Sequence, residues 1–402
     1  MAGMMILEYD PNSSQGELWY FQGNEAGRAR MISQVLITGG AGFIGSHLAD
    51  ELLTAGYRVR ILDNLSPQVH GEQGRRPSYL ADDVDLIVGD VRDEEAVRAA
   101  LKGVDAVYHF AAAVGVGQSM YEIARYTSVN NLGTAVLLDA LASRPVEKLV
   151  VASSMSVYGE GAYRNGGGIH LNIPERSREQ LRQGEWEPQN ERHGVLTAVP
   201  TPESKCPNVS SVYALGKHDQ ERLCLIVGGA YGISSVALRF FNVYGPRQAL
   251  SNPYTGVLAI FASRYLNGQQ PLIYEDGQQR RDFVNVHDVA RACRLALESP
   301  EAEGEVLNIG SGHGITIREV ADEMAHVLGC EDLEPEVTGR YRVGDIRHCF
   351  ADIRKAERLL GYRPQVSFED GLRELAEWLD DQIIGKETAQ ADRELSERGL
   401  VL

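Results

Sequence analysis

Tyr213 and Lys217 stand four positions apart in "SVYALGK", and on a helix that spacing puts both side chains on one face with Cβ atoms ~5–6 Å apart. A phenol titrates near ~10 in water, and positive charge beside it favours the phenolate and draws that value towards neutrality. Such a phenolate can take a proton from a sugar hydroxyl while hydride leaves the carbon that bears it. A Tyr-x-x-x-Lys pair alone is common on surface helices, so its weight depends on what the rest of the chain builds around it.

The glycines Gly39, Gly42 and Gly45 in "GGAGFIG" follow a predicted strand and open a predicted helix. That context is the one a dinucleotide needs: glycine permits the tight turn and lets backbone N–H groups reach a pyrophosphate at the positive helix end. Asp63, at the end of the next strand, can accept hydrogen bonds from an adenosine ribose and repels a 2′-phosphate, which favours NAD over NADP. Asp90 in "VGDVRD" follows the third strand and could receive the adenine amino group. An oxidised nicotinamide would add a second positive charge near the Tyr213 phenol. Between these motifs lies "VASSMSVYGEG", a strand entering a loop that offers Ser153, Ser154, Ser156 and Tyr158, with its first acid, Glu160, arriving late.

The elements that position these residues alternate. "QVLITGG", "YRVRILDN", "VDLIVGDV", "VDAVYHFAAA", "KLVVASS" and "SSVALRF" read as strands. Helices are predicted for "IGSHLADELLTAG", ending at Gly56, for "NNLGTAVLLDALAS", and from about Ser211. Such alternation predicts an α/β fold with a doubly wound parallel sheet and a smaller, mixed α/β substrate-binding lobe. The expected division is an N-terminal extension (1–33), a Rossmann domain (34–239), a lobe (240–384) with segments returning to that domain, and a tail (385–402). "ELWYFQG" in the extension resembles a protease-cleavage linker, so the extension is set aside as flexible or of vector origin. Residues 161–208 are rich in Gly, Pro, Asn and charge and read as a lid-like insertion. "GQQPLIYEDGQQRRDFVNV" looks hairpin-like, and "TIREVADEMAHVLG", "RKAERLLGYRP" and "FEDGLRELAEWLDDQII" look helical.

Composition narrows the partners. The 402 residues carry 39 basic and 56 acidic side chains, a net charge of -17, which argues against nucleic-acid or anionic-membrane surfaces. An anionic substrate must then be met by locally placed arginine. Cys206, Cys224, Cys293, Cys330 and Cys349 are scattered without CxxC spacing and read as buried free thiols with no metal. His109, His218 and His287 also lack metal spacing and read as structural or as groups supporting the site from behind. No apolar run approaches the ~20 residues of a membrane span and no signal peptide opens the chain. A soluble, reducing, cytoplasmic setting is expected.

"TGGAGFIG", "GDVRD", "HFAAA", "SVNNLGT", "SSMSVYG", "YALGK", "RFFNVYGP", "RRDFVNVHDV" and "NIGSG" together resemble the extended short-chain dehydrogenase/reductase superfamily from Gln34 to about Ile384. Within it the chain resembles NAD-dependent nucleotide-sugar 4-epimerases. The resemblance implies that Tyr213 is the base, that Lys217 holds the nicotinamide ribose and lowers the phenol, and that Ser154 binds the sugar O4. It places Phe43, Ile44, Asn64, Val91, Ala111, Ala112, Ala113, Asn130 and Phe240 with Gly39, Gly42, Gly45, Asp63 and Asp90 around NAD. Asn242, Val257, Arg281, Arg342 and Asp345 would serve the nucleotide-diphosphate sugar, while Arg239 reads as structural. A homodimer built from two helices per subunit, one of them carrying Tyr213, is also implied.

In 4,6-dehydratases the positions before "VYG" resemble Thr-Asp-Glu, and UDP-glucuronate decarboxylases keep a Glu there. This chain has Ser154, Met155 and Ser156 instead. Dehydration needs an acid and a base at those positions, so hydride removal and return at C4, or hydride transfer alone, is what remains. "ALSNPYTGVLAIFASRYLNGQQPLIYEDG", "YRVGDIRH" and the insertion are similar to bacterial dTDP-L-rhamnose 4-epimerases, with Met155 or Val114 near the sugar's C6. UDP-glucose/galactose and UDP-uronate 4-epimerases, a 4-ketoreductase and a silent NAD(H) sensor are the alternatives.

Overall fold

The computed structural model describes residues 32–71, 74–190, 194–248, 256–342 and 345–380. The expectations for residues 1–31 and 385–402 lie outside them. Seven parallel strands form the central sheet: Gln34–Thr38 (β1), Arg58–Asp63 (β2), Asp85–Val88 (β3), Ala106–His109 (β4), Lys148–Ser154 (β5), Ser234–Phe240 (β6) and Val306–Ile309 (β7). Their spatial order is β7-β6-β5-β4-β1-β2-β3. β4 and β5 are buried along their whole length, as a parallel sheet covered on both faces requires.

Helix Phe43–Thr54 (α1) ends at Ala55, and Gly56 follows at φ +88°, a left-handed turn that favours glycine. It packs with helix Val286–Glu298 on one face of the sheet, over a core that includes Val35, Ile37, Leu48, Tyr108, Val236 and Leu307. On the other face lie Glu94–Ala100 (α2), Gly133–Ser143 (α3) and Val212–Tyr231 (α4), over Leu36, Val107, Leu137, Leu149 and Cys224. Two cores, one per face, make the sheet doubly wound. β1 runs to β2 on one side and is flanked by β4 on the other, so the strand order reverses there. Ligands bind at the carboxyl ends of strands at such a point.

The helical prediction over 130–143 needs one correction, because Ser128–Leu132 is a π-helical turn. The expected hairpin is also absent among the described residues. Leu272–Ile273 pairs with Glu336–Val337, Arg280–Arg281 with Ile315–Thr316 and His348–Cys349, and Phe283–Asn285 with Asn242–Tyr244. Each short strand finds a partner distant in sequence. Helices Val257–Leu266, Ile317–Leu328 and Phe368–Asp380 enclose a third core around Phe261, Tyr265, Met324, Leu372 and Leu375.

The insertion is folded rather than structureless. Ala162–Asn165 pairs with both Gly168–His170 and Thr197–Val199, over Tyr163, Ile173 and Leu196. Buried charges tie it to the lobe: Arg176 donates to Glu275 and to the Asp345 carbonyl, and Arg347 donates to Glu187. These pairs link segments far apart in sequence, and local composition carries no trace of them.

Candidate active site

The loop after β1 is shaped by steric necessity. Gly39 has φ +69°, and a Cβ there would lie 2.8 Å from the Ala111 nitrogen; a Cβ on Gly45 would lie 2.6 Å from Gly40 Cα. Gly42 caps α1 without any side-chain hydrogen bond, and the first turn carries no acid. First-turn N–H groups at Phe43 and Ile44 therefore face outward with the positive helix end, a seat for a pyrophosphate. Asp63 is held at the end of β2 by the backbone N–H groups of Ala41, 3.0 Å, and Leu65, 2.9 Å. Its carboxylate keeps lone pairs for ribose hydroxyls. Asp90 accepts from Asn64 at 3.0 Å and from Arg92 through three nitrogens. Those bonds, the Arg92 side chain first, hold its carboxyl well below the usual range. This cradle fits a dinucleotide.

Three other expected cofactor residues have buried side chains. Asn130 is fully buried, and its amide is spent on Ala113, accepting from N–H at 2.7 Å and donating to the carbonyl at 3.1 Å. It shapes the Ala111–Ala113 turn instead of facing the cleft. Val91 and Phe240 are 6% exposed, Val91 within the core beneath α2 and Phe240 with its ring against Phe110.

β5 delivers Ser154, 8% exposed, into the turn Met155–Tyr158. Ser154 Oγ accepts from the Ser156 N–H at 3.2 Å and donates to Ser156 Oγ at 3.1 Å. Met155 turns inward against Phe241 and Cys349, and Val114 is exposed. Tyr158 is structural: its hydroxyl donates to Asn308 at 2.6 Å and Arg239 lies over its ring. Glu160 accepts from the backbone of Arg347, 2.9 Å, and His348, 2.7 Å, and from the Tyr163 hydroxyl, 2.5 Å. The late acid of the loop is thus a clamp.

Tyr213 and Lys217 lie in the first turns of α4, which Ser211 caps by accepting from the Ala214 N–H at 3.1 Å. The expected depression of the phenol is not built by the chain alone. Burial pushes Tyr213 upward, the neighbouring Ser154 hydroxyl opposes this, and the Lys217 ammonium donates to Gln220 at 2.9 Å. Burial also lowers Lys217 to about 8. A positive charge bound beside Tyr213 would favour its phenolate.

On the lobe side, Asn242 Oδ1 and Arg342 Nε are buried without hydrogen-bond partners among the described residues, and the Arg342 guanidinium lies over the Tyr274 ring. Groups left this way cost stability until a ligand pairs them. Val257 opens its helix, half-buried. Arg281 is occupied: it donates to the carbonyls of Arg280, Ile346 and Arg347 and reaches Asp345 at 3.5 Å. In this conformation it is tied to the lobe backbone and lies beside Asp345.

The residues that sequence reading missed form a buried network behind Lys217: Thr38, Thr134 and Gln220, with His109 at its centre. Ser153 likewise donates to Glu221 at 2.7 Å, and Glu221 pairs with Arg239. Nothing in local spacing signals either set, because their members come from different strands and helices.

A dinucleotide cradle at the sheet's switch point, joined to a Ser-Tyr-Lys set, defines an NAD-dependent Rossmann enzyme. Residues 35–310 match the profile of the NAD dependent epimerase/dehydratase family, and the chain belongs to that family. It is an NAD-dependent enzyme and is similar to nucleotide-sugar 4-epimerases. Over 355 residues it is 36% identical to a dTDP-L-rhamnose 4-epimerase of Burkholderia thailandensis, covering 87% of this chain and 96% of that one. Among solved structures it is similar to the UDP-glucose 4-epimerase of Thermotoga maritima with UDP-glucose, at 32% identity and TM-score 0.70, covering 86% and 98% of the two chains. The Thermus thermophilus UDP-glucose 4-epimerase complex with NAD gives 34% identity and TM-score 0.68, covering 87% and 100%. No helix among the described residues is long and apolar enough to cross a membrane.

Proposed function

We propose that this enzyme inverts C4 of dTDP-L-rhamnose or a related nucleotide-bound 6-deoxyhexose, with Tyr213 as the proton-transfer residue and Ser154 and Lys217 beside it. The observation that carries the reaction type is the turn Ser154–Met155–Ser156, which holds hydroxyls and a thioether while its nearest following acid, Glu160, is bonded to the backbone of Arg347 and His348. Expelling a C6 hydroxyl needs an acid there. When bound, NAD supplies a hydride acceptor that is restored when the hydride returns.

Tyr213 takes the proton from the C4 hydroxyl and gives it back to the oxygen after the sugar has turned. Ser154 holds that oxygen. Lys217 adds a positive charge that favours phenolate. Arg342 and Asn242 are suited to the diphosphate, whose firm grip lets the hexose turn about it. The dTDP-L-rhamnose reading draws on the Burkholderia relative, and the two solved neighbours favour a UDP-hexose as the second reading.

Assembly as a homodimer is part of this proposal. Leu215 and Ile226 on α4 are 47% and 57% exposed, and Leu132, just before α3, is 54% exposed, an apolar seam suited to the same helices of a second copy. Leu215→Glu with Ile226→Glu is expected to shift the light-scattering mass in solution from two chains to one; one chain in the unchanged protein rules the dimer out.

Incubation with dTDP-, UDP- and GDP-sugars without added cofactor, read by NMR at C4, tests the reaction. Inversion of dTDP-L-rhamnose without solvent deuterium entering carbon is expected. Preference for UDP-galactose overturns the sugar assignment, and deuterium uptake overturns the hydride-return mechanism. Tyr213→Phe is expected to lower kcat by about 10²–10⁴.

A further inference from the structure

We infer that Gln220 is a positioning residue for this chemistry: its side-chain amide fixes the Lys217 ammonium against the Ala111 turn. The inference rests on the reading of Tyr213 and Lys217 as the proton-transfer pair. Gln220 is fully buried, one helical turn beyond Lys217 on α4, and its Oε1 accepts from Lys217 Nζ at 2.9 Å. Its Nε2 donates to the Ala111 carbonyl at 3.2 Å and to Thr134 Oγ1 at 3.0 Å. A flipped amide would set NH₂ against the ammonium and oxygen against the Ala111 carbonyl. Only one orientation satisfies both ends.

Counting donors shows how that orientation is enforced. Thr38 Oγ1 accepts from the N–H groups of Phe110 and Ala111, each at 3.2 Å, so its own proton goes to His109 Nδ1 at 2.9 Å. Thr134 Oγ1 spends its proton on the Asn130 carbonyl at 2.5 Å and is therefore an acceptor for His109 Nε2 at 2.8 Å. His109 is then neutral, with its proton on Nε2, and the Gln220 Nε2 lying 3.1 Å away does not donate to it: both N–H groups converge on Thr134 Oγ1. Burial, with Lys217 nearby, lowers it to about 3 and agrees with that assignment. A neutral histidine leaves Lys217 as the cation of this network, and strands β1 and β4 and helices α3 and α4 all bear on its position. The further charged or titratable groups acting on Lys217 are Cys224 and Glu221, and Glu221 is already paired with Arg239.

Two variants push the lysine in opposite directions. Gln220→Met removes the acceptor for the charged form, so the Lys217 pKa falls; Gln220→Glu places a carboxylate there, so it rises. The expected shifts are about one unit each way in a ¹³C-lysine NMR titration of the protein without substrate, with the resonance assigned by Lys217→Met. In turnover, the alkaline limb of the kcat–pH profile is expected to move down for Gln220→Met and up for Gln220→Glu, with kcat at pH 7.5 down about 10-fold or more in both. A packing role would lower stability in both and leave the lysine titration where it was, and that result overturns the inference. If the lysine shifts as expected but Tyr213→Phe keeps full activity, the mechanism above is wrong while the placement of Lys217 by Gln220 stands.

Discussion

Arg347 grips the Glu187 carboxylate through Nε at 2.9 Å and Nη2 at 2.6 Å, joining the 161–208 insertion to the lobe just before its strand His348–Cys349. The same guanidinium, 1% exposed, also donates to Glu275 at 2.9 Å and to both oxygens of Asp276. Arg347→Met removes one tie between the insertion and the lobe while Arg176 still pairs Glu275, and removing one partner of a buried charge set costs up to about 3–5 kcal/mol. A lower urea midpoint and faster protease cleavage within 161–208 are expected. Cleavage at an unchanged rate would mean that the insertion is held by something else.

Gly39→Ala is expected to release NAD. The backbone at φ +69° and the Ala111 nitrogen at 2.8 Å from a new Cβ leave no relaxed solution, and a non-glycine residue there costs about 1–3 kcal/mol. Cofactor released from purified protein by heat, measured by chromatography, checks this. Full NAD content in the variant contradicts it.

Stability should fall in acid partly through His47. It is 4% exposed, its Nε2 donates to the Pro246 carbonyl at 3.1 Å, and burial, followed by Arg247, lowers it to about 4. The folded value lies below the unfolded ~6.5, so the folded chain stays unprotonated while the unfolded chain takes up a proton. Stability is full above pH 6.5 and is lost towards pH 4 at up to ~1.4 kcal/mol per pH unit from this group. His47→Gln keeps a donor for Pro246 and is expected to flatten the urea midpoint against pH in that window; an identical curve for both proteins refutes the assignment.

Thiol reactivity should be uneven. Contrary to the expectation of buried thiols throughout, Cys206 is exposed and Cys330 half-buried, while burial raises Cys224 and Cys349 to about 12 and also raises Cys293. An aromatic disulfide reagent is expected to modify Cys206 fast, Cys330 more slowly and the other three only after unfolding. Rapid reaction of all five in the native protein would contradict the burial.

The features that were legible in the chain are local. Gly39, Gly42 and Gly45 declare a turn at the end of a strand, apolar runs such as "KLVVASS" declare buried parallel strands, and the four-residue step from Tyr213 to Lys217 declares a shared helix face. Each depends on neighbours within a few residues, so periodicity and residue type suffice. Asn130 was legible only as a candidate, because the π turn that rotates it onto Ala113 leaves no mark in composition. The lobe was harder still: strands of two or three residues carry too little pattern to reveal partners.

The amino-acid sequence by itself determined the class of this protein, through the nucleotide loop, the Tyr-Lys pair and a Ser-Met-Ser turn without acids. Tertiary structure decided what surrounds them: that Glu160 clamps the backbone, that Arg281 is occupied, that Arg239 is paired with Glu221, and that Gln220 meets a histidine 111 residues away. The physical reason is range. Backbone conformation and helix-face spacing are fixed by adjacent residues, whereas a buried charge or amide is defined by whichever distant groups the folded core brings within hydrogen-bonding distance.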